Sequence, residues 1–184
     1  MVEKLDGGVY NQFVYSPGGN LLARMNVQTV VSVRVPLPSA WAVYGAINTF
    51  NHYEHLDWLG NSRLSSNQSR AKTSDIAYAP FGEAYGSTDT AGVSFTGMRS
   101  DVAGVSGGVT SGLYDFLARE LPPSQGRWLS PDPAGLDAVI PENPQSWNRY
   151  SYVLNSPTWL VDPLGLQWIC HQVWAQIYFA HQLC

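Results

Sequence analysis

Apolar and polar residues alternate along the first part of the chain in a way that predicts short β-strands. Residues 9–15 place Val9, Phe13 and Tyr15 on one face, and a second apolar-rich stretch runs from 21 to 35. Between them lies Ser16-Pro17-Gly18-Gly19-Asn20, whose residues tolerate the positive φ values that tight turns need. The pattern predicts an antiparallel hairpin around this segment.

A weak internal repeat accompanies the hairpin pattern. The Gly19-Asn20 pair recurs as Gly60-Asn61, 41 residues later, and each pair has a Leu close behind it. Self-similarity at such a spacing is typical of arrays built from one supersecondary unit. The two copies indicate a repeated hairpin.

The second half of the chain gives a less regular pattern. Residues 113–121 fit a strand with Tyr114, Phe116 and Ala118 on one face, but they also fit a helix with Leu113, Phe116, Leu117 and Glu120 on one side. Pro122-Pro123 ends either element. Beyond it, short extended segments are predicted at 128–129, 150–154 and 159–161, separated by prolines.

Composition agrees with a β-rich chain. Charged residues make up only 13% of the 184 residues, about half the usual share, whereas aromatic residues make up 12% and there are 17 Gly and 12 Pro. A net charge of −4 without a cluster of Lys and Arg argues against nucleic-acid binding. The N-terminus lacks the apolar core of a signal peptide, and the uncharged stretch 35–53 is broken by Pro and Gly, so no membrane span is expected.

Six motifs follow one another in a fixed order in the second part of the chain. They are Tyr78–Glu83, Phe95–Gly97, Gly112–Arg119, Gly126–Pro133, Asn148–Pro157 and Asp162–Leu166. Together they resemble the core-associated domain of the RHS/YD-repeat family, and residues 55–64 and 15–21 are similar to the YD repeats of that family. The resemblance is strong from about residue 55 to Leu166, weaker before, and absent beyond that point.

The resemblance implies a mainly β fold. Antiparallel β-hairpins form a spiral shell in this family, and a compact core-associated domain plugs one end of it. Applied to this chain, the resemblance predicts YD-repeat-like hairpins over 1–85, a core-associated segment over 113–166 and a variable C-terminal remnant over 167–184. The Gly/Ser-rich stretch 86–112 is predicted to be a linker or an insertion. Apolar residues in 167–184 recur at helical spacing, so this remnant could form a helix.

The resemblance also implies a function. Core-associated domains of the family act as aspartyl-type autoproteases that release a C-terminal polypeptide, often a toxin, as in bacterial polymorphic toxins. The expected partners are the chain's own C-terminal cargo or the remainder of an RHS shell, and no cofactor or metal is expected. Members of the family are secreted or associated with the cell envelope.

A duplicated Asp-Pro-x-Gly-Leu motif carries the candidate chemistry. It begins at Asp132 and again at Asp162, and the chain changes character after the second copy. Two neighbouring carboxyls resist joint ionisation, so one can activate water while the other retains a proton for the leaving nitrogen. By the resemblance, Asp132 and Asp162 are catalytic with Arg119, and cleavage follows Leu166, before Gln167.

Several alternatives stay open. Asp-Pro is also a common turn dipeptide, so either aspartate could serve only to fix a turn. Arg119 could form an ordinary ion pair, and Arg127 could orient the carboxylates in its place. The chain could then be a non-enzymatic β-shell or interaction module, an inactive remnant of a polymorphic toxin gene.

The last 18 residues, from Gln167 onward, contain no Asp, Glu, Lys or Arg. Four of them could supply zinc ligands, although the spacing is not a standard one, and the two cysteines could instead form a disulfide. A toxin acting through this tail is a third functional reading. The four residues are Cys170, His171, His181 and Cys184.

Overall fold

Nine antiparallel strands form a single meander, in which each strand pairs with the next. The computed structural model describes residues 2–6, 9–46, 49–86, 95–100 and 112–170. The strands are β1 (Val2–Asp6), β2 (Val9–Tyr15), β3 (Leu21–Asn26), β4 (Thr29–Leu37), β5 (Ala40–Gly45), β6 (Phe50–Leu56), β7 (Ser62–Ser66), β8 (Lys72–Tyr78) and β9 (Ala84–Gly86). The predicted mainly β fold is confirmed.

The predicted hairpin turn at residues 16–20 is present and is one of four equivalent turns. In the first, the N–H of Ser16 donates to the carbonyl of Asn20 at 2.8 Å, and that of Gly19 donates to Ser16 at 3.0 Å. The same two bonds recur in the turns 57–61, 67–71 and 79–83. The fourth residue of each turn has a positive φ, and these residues are Gly19, Gly60, Arg70 and Gly82.

Arg70 is the only one of these four residues that is not glycine, and its φ of 64° lies in the left-handed region. This region costs an L-residue roughly 1–2 kcal/mol, whereas glycine enters it freely but loses more chain entropy on folding. We therefore expect Arg70→Gly to raise the free energy of unfolding by about 0.5–1 kcal/mol, measured by urea denaturation.

Gly60→Ala is the matched control for this substitution. A Cβ at Gly60 would meet no atom closer than 3.8 Å, so the left-handed φ of 83° is the main penalty. The expected result is a loss of about 1 kcal/mol. Equal stability of the two variants and wild type would contradict the equivalence of these turns.

A second, compact unit follows the meander, and we call it the plug (residues 95–100 and 112–170). It contains a three-stranded sheet of β10 (Arg99–Ser100), β11 (Tyr114–Asp115) and β12 (Glu120–Leu121), and a two-stranded pair of β13 (Leu160–Val161) and β14 (Ile169–Cys170). Short 3-10 helices span Gly135–Ala138 and Pro144–Trp147, and tight turns that contain residues of positive φ span Phe95–Gly97 and Val153–Asn155.

The structure of the plug settles one ambiguity of the sequence pattern and corrects one prediction. Residues 113–121 form two short strands joined by a turn, not a helix. The stretch 150–154, predicted as extended, instead enters a left-handed turn, because Val153, Leu154 and Asn155 all have positive φ values. Cys170 lies in a strand, while the remaining tail from 171 lies outside the described residues.

Aromatic side chains fill the core of the plug. Trp128 stands edge-on to Phe116 at 4.9 Å and to Tyr152 at 5.3 Å between ring centroids. Burial of these large side chains is the main source of stability for a unit with so little regular structure. The aromatic core comprises Phe95, Met98, Tyr114, Phe116, Leu121, Trp128, Tyr152, Val153 and Leu160.

Three of the hairpin turns contact the plug. A Cβ on Gly19 would lie 2.6 Å from the carbonyl oxygen of Pro163, and one on Gly82 would lie 2.7 Å from the ring of Phe95. Asn61 accepts a hydrogen bond from the N–H of Thr96 at 2.8 Å. The turn 16–20 therefore contacts the second Asp-Pro-x-Gly-Leu motif directly, whereas the other two turns contact the segment 95–96.

The predicted linker, 86–112, is described only at Gly86, residues 95–100 and Gly112. Phe95 and Met98, within it, belong to the aromatic core. The domain boundaries predicted from the sequence stay predictions.

Among the described residues, no helix is long and apolar enough to cross a membrane.

Candidate functional site

One guanidinium group joins the two predicted catalytic aspartates. Nη2 of Arg119 lies 3.0 Å from Oδ2 of Asp132 and 3.2 Å from Oδ2 of Asp162. All three side chains are largely buried, with Arg119 6%, Asp132 9% and Asp162 2% exposed. The duplicated motif therefore brings its two aspartates to the same buried cation.

The position of Arg119 is fixed from several sides. Its guanidinium lies 4.3 Å from the centre of the Trp128 ring, and its Nε donates to the carbonyl of Gly165 at 2.5 Å. Its Nη1 donates to the carbonyl of Arg149 at 3.4 Å. Because a guanidinium is planar and stacks well on aromatic rings, these contacts leave it little rotational freedom.

Asp132 divides its two oxygens between a turn and the site. Oδ1 accepts from the N–H of Ala134 at 2.9 Å, and its backbone carbonyl accepts from Gly135 at 3.1 Å. Oδ2 is the oxygen that faces Arg119. Asp132 thus caps a turn, as an Asp-Pro dipeptide often does, and also presents an oxygen to the buried cation.

Asp162 contacts the bond predicted to be cut. Its Oδ1 accepts from the N–H of Leu166 at 2.9 Å and from that of Gln167 at 3.2 Å. The chain curls back to the carboxylate through Gly165, whose φ is 69° and where an added Cβ would lie 3.1 Å from Phe116. The peptide nitrogen of the Leu166–Gln167 bond is therefore within hydrogen-bond distance of a buried carboxyl.

The predicted bond is accessible although the side chains around it are buried. Leu166 and Gln167 are both exposed, and a small cavity of about 50 Å³ lies beside them. A space of this size holds a water molecule when polar groups line it. The lining includes Arg119, Asp132, Asn148, Ser151, Asp162 and Gln167.

Burial raises the pKa of Asp162 above its usual value of 3.8. Arg119 and the backbone N–H groups of Gly165, Leu166 and Gln167 act in the opposite direction, but burial outweighs them. Loss of hydration penalises the charged form of a carboxyl, so Asp162 holds a proton more readily in the folded protein than in the unfolded chain. Asp162 is thus the member of the pair better suited to hold a proton.

This pKa predicts a pH dependence of stability. Above 3.8 the unfolded chain ionises Asp162 while the folded chain still holds the proton, so unfolding releases a proton and stability falls as pH rises. The loss is complete once pH exceeds the folded pKa. Relative to Asp162→Asn, wild type should become less stable from pH 4 upward until the pH exceeds the folded pKa, and the difference should then stay level, as measured by urea unfolding. A constant difference would exclude the raised pKa.

The structure distinguishes between the two arginines proposed from the sequence. Arg127 is exposed and pairs through its backbone with Ser151, whereas Arg119 lies in the site. Sequence reasoning missed the stacking role of Trp128 and the backbone carbonyl of Arg149. The signal for Trp128 was its place between Arg127 and the Ser-Pro-Asp-Pro segment.

The proposed zinc ligands of the tail can be followed only in part. Cys170 lies in β14, but His171, His181 and Cys184 lie outside the described residues. Within residues 2–6, 9–46, 49–86, 95–100 and 112–170, no three His, Cys, Asp or Glu side chains cluster as metal ligands would.

No protein-family model matches the chain. Similar solved structures include the crystal structure of TcdB2-TccC3-Cdc42, with a TM-score of 0.56 and 20% identity over 89% of this chain and 9% of that chain. A second is the crystal structure of TcdB2-TccC3, with a TM-score of 0.54 and 20% identity over 89% of this chain and 10% of that chain. A third is the Photorhabdus luminescens Tc holotoxin pore with a mutated TccC3, with a TM-score of 0.53 and 20% identity over 89% of this chain and 9% of that chain.

These similarities show the fold. The chain spans about a tenth of the length of the toxin chains it matches, at 20% identity. The chain has an RHS-like β-shell fold, similar to part of the Tc toxin proteins.

Proposed function

We propose that this chain is part of an RHS-like shell whose plug hydrolyses the chain's own Leu166–Gln167 bond and so separates a C-terminal polypeptide. One observation carries the proposal: Oδ1 of Asp162 lies 3.2 Å from the nitrogen that would leave, while Oδ2 shares a guanidinium nitrogen with Asp132. An acid, a base and the bond between them occupy one small site.

The geometry suggests a role for each side chain. The carboxylate of Asp132 accepts a proton from a water molecule in the cavity, and the water oxygen forms a bond with the carbonyl carbon of Leu166. Before the attack, Oδ1 of Asp162 accepts the N–H of Gln167. Once the carbonyl carbon is tetrahedral, the nitrogen has a free lone pair, and Asp162 donates its proton to it as the C–N bond breaks. Arg119 compensates the negative charge of the pair and holds both carboxyls in place.

A charge count supports this division of roles. With both aspartates ionised, the buried site would carry a net charge of −1, because Arg119 supplies a single positive charge. A buried net charge is costly, and one retained proton removes it. Two carboxyls that share one proton are the arrangement used for peptide hydrolysis by aspartic proteases.

The substrate is already bound. Leu164 accepts a hydrogen bond from the N–H of Ala118 at 3.1 Å, and Gly165 accepts one from Arg119. Together with the bonds to Asp162, these contacts fix the segment before the predicted cut. Intramolecular positioning can supply very high effective concentrations, so modest acid–base chemistry is sufficient for one turnover.

A second candidate function is a non-enzymatic shell or interaction module. The observation in its favour is that both aspartates accept backbone N–H groups of their own turns, Asp132 from Ala134 and Asp162 from Leu166. Such bonds are those of a turn-fixing residue. In either case the remainder of an RHS shell is the proposed partner, and we place the protein among secreted or envelope-associated polymorphic toxins.

The concentration dependence of cleavage tests the enzymatic proposal. If the chain cuts itself, the first-order rate constant is the same when protein concentration is varied a hundredfold, and cleavage stops in unfolding concentrations of urea. A rate proportional to protein concentration indicates a contaminating protease or cutting between molecules. No cleavage at any concentration favours the non-enzymatic module.

A further inference from the structure

The residues directly after the predicted cut are part of the plug. Ile169 and Cys170 form β14, in which Ile169 lies opposite Val161 and Cys170 lies opposite Leu160 in antiparallel register. β13, their partner, directly precedes Asp162 in the chain. The same short segment therefore holds the candidate acid and binds the chain on the far side of the bond.

Burial changes sharply around the bond. Leu166 and Gln167 are exposed, but Trp168, Ile169 and Cys170 are half-buried again. Trp168 and Cys170 pack against the aromatic core of the plug. The chain thus reaches solvent for two residues and then returns to an apolar site.

We propose that Gln167–Cys170 is a docking strand, which keeps the C-terminal polypeptide bound to the plug after the Leu166–Gln167 bond has been hydrolysed. The inference rests on the proposed function for the cut, but its binding site is formed by other contacts. Its occupant is the extended N-terminal end of the chain's own cleaved polypeptide, with Trp168 as the second residue. Cutting and release are then separate events.

Physical reasons support retention. Hydrolysis breaks one covalent bond and leaves intact both the β13–β14 pairing and the packing of Trp168. Addition of an extended segment to a strand is a common mode of peptide recognition, in which backbone bonds give affinity and side-chain pockets give specificity. After hydrolysis, no covalent bond holds the polypeptide to the plug. It can leave only when Trp168 moves out of its apolar site, so the burial of Trp168 limits the rate of release.

Size-exclusion chromatography of the cut full-length protein tests the proposal. Residues 167–184 should elute with residues 1–166, as identified by mass spectrometry of the fractions. After dilution into an ultrafiltration cell that retains only the large fragment, Trp168→Ala should release the tail at least about tenfold faster than wild type. Trp159→Ala is the control, because Trp159 is 71% exposed, and it should leave the release rate within about twofold.

A second arm does not depend on self-cleavage. A recognition sequence for a site-specific protease is inserted between Leu166 and Gln167 of the Asp132→Asn chain, and the added protease makes the cut. In both arms, co-elution with slow release supports the docking strand. Separation of the tail as soon as the bond is cut, or equal release from Trp168→Ala and wild type, overturns it. An uncut wild-type chain contradicts the proposed function only.

Discussion

Asp132→Asn is expected to leave the chain uncut under conditions in which wild type breaks after Leu166. The substitution keeps the size of the side chain and the hydrogen bond from Ala134 to Oδ1, but it removes the carboxylate that would accept a proton from water. Loss of a general base commonly lowers a rate about 10²–10⁴-fold, which takes cleavage beyond the time of an ordinary assay. Intact-mass spectrometry follows the loss of full-length chain.

Asp137→Asn is the matched control, because Asp137 lies five residues away, directly after the first motif, and is exposed. This variant should be cut at the wild-type rate. If Asp132→Asn and Asp137→Asn are cut equally fast, the role given to Asp132 is wrong. If both stay uncut while wild type is cut, the effect comes from disturbance of the turn.

Arg119→Met is expected to cause the largest loss of stability. The substitution leaves Asp132 and Asp162 buried without their shared cation, and an uncompensated buried charge costs about 3–5 kcal/mol. It also removes the bond to the Gly165 carbonyl and the stacking on Trp128. The free energy of unfolding at pH 7 measures this loss.

Two comparisons show whether charge is the cause. Arg127→Met changes an exposed arginine and should alter stability by less than about 0.5 kcal/mol. Combining Arg119→Met with Asp132→Asn removes the carboxylate to which the proposal gives the role of base, and it should recover part of the loss, which is the signature of direct coupling. A double variant as unstable as the additive sum would contradict the shared-cation arrangement.

The sequence predicts the hairpins well where the turns contain residues that favour a positive φ. The Gly-Asn pairs at 19–20 and 60–61 mark two of the four equivalent turns. The third turn is not visible from sequence, because Arg70 occupies the left-handed position that glycine fills elsewhere. Its conformation is imposed by strand pairing and by the acceptor Asn67, whose Oδ1 binds the N–H of Ala71 at 2.9 Å.

The site is predictable in its residues but not in its geometry. Family resemblance selects Asp132, Asp162 and Arg119, yet only burial separates Arg119 from the exposed Arg127. The curl of the chain that brings Gln167 back to Asp162 depends on tertiary packing at Gly165. Likewise, the apolar pattern at 150–154 does not predict the left-handed conformation of Val153, Leu154 and Asn155.

If two carboxyls joined by Arg119 hydrolyse the Leu166–Gln167 bond of their own chain, newly made protein cuts itself as it folds. Intact-mass spectrometry of wild-type protein at intervals after cell-free synthesis measures this directly. We expect the full-length mass to give way to two species, residues 1–166 and residues 167–184, and to no other pair. A full-length chain that stays intact after folding, or a break at any other bond, would contradict it.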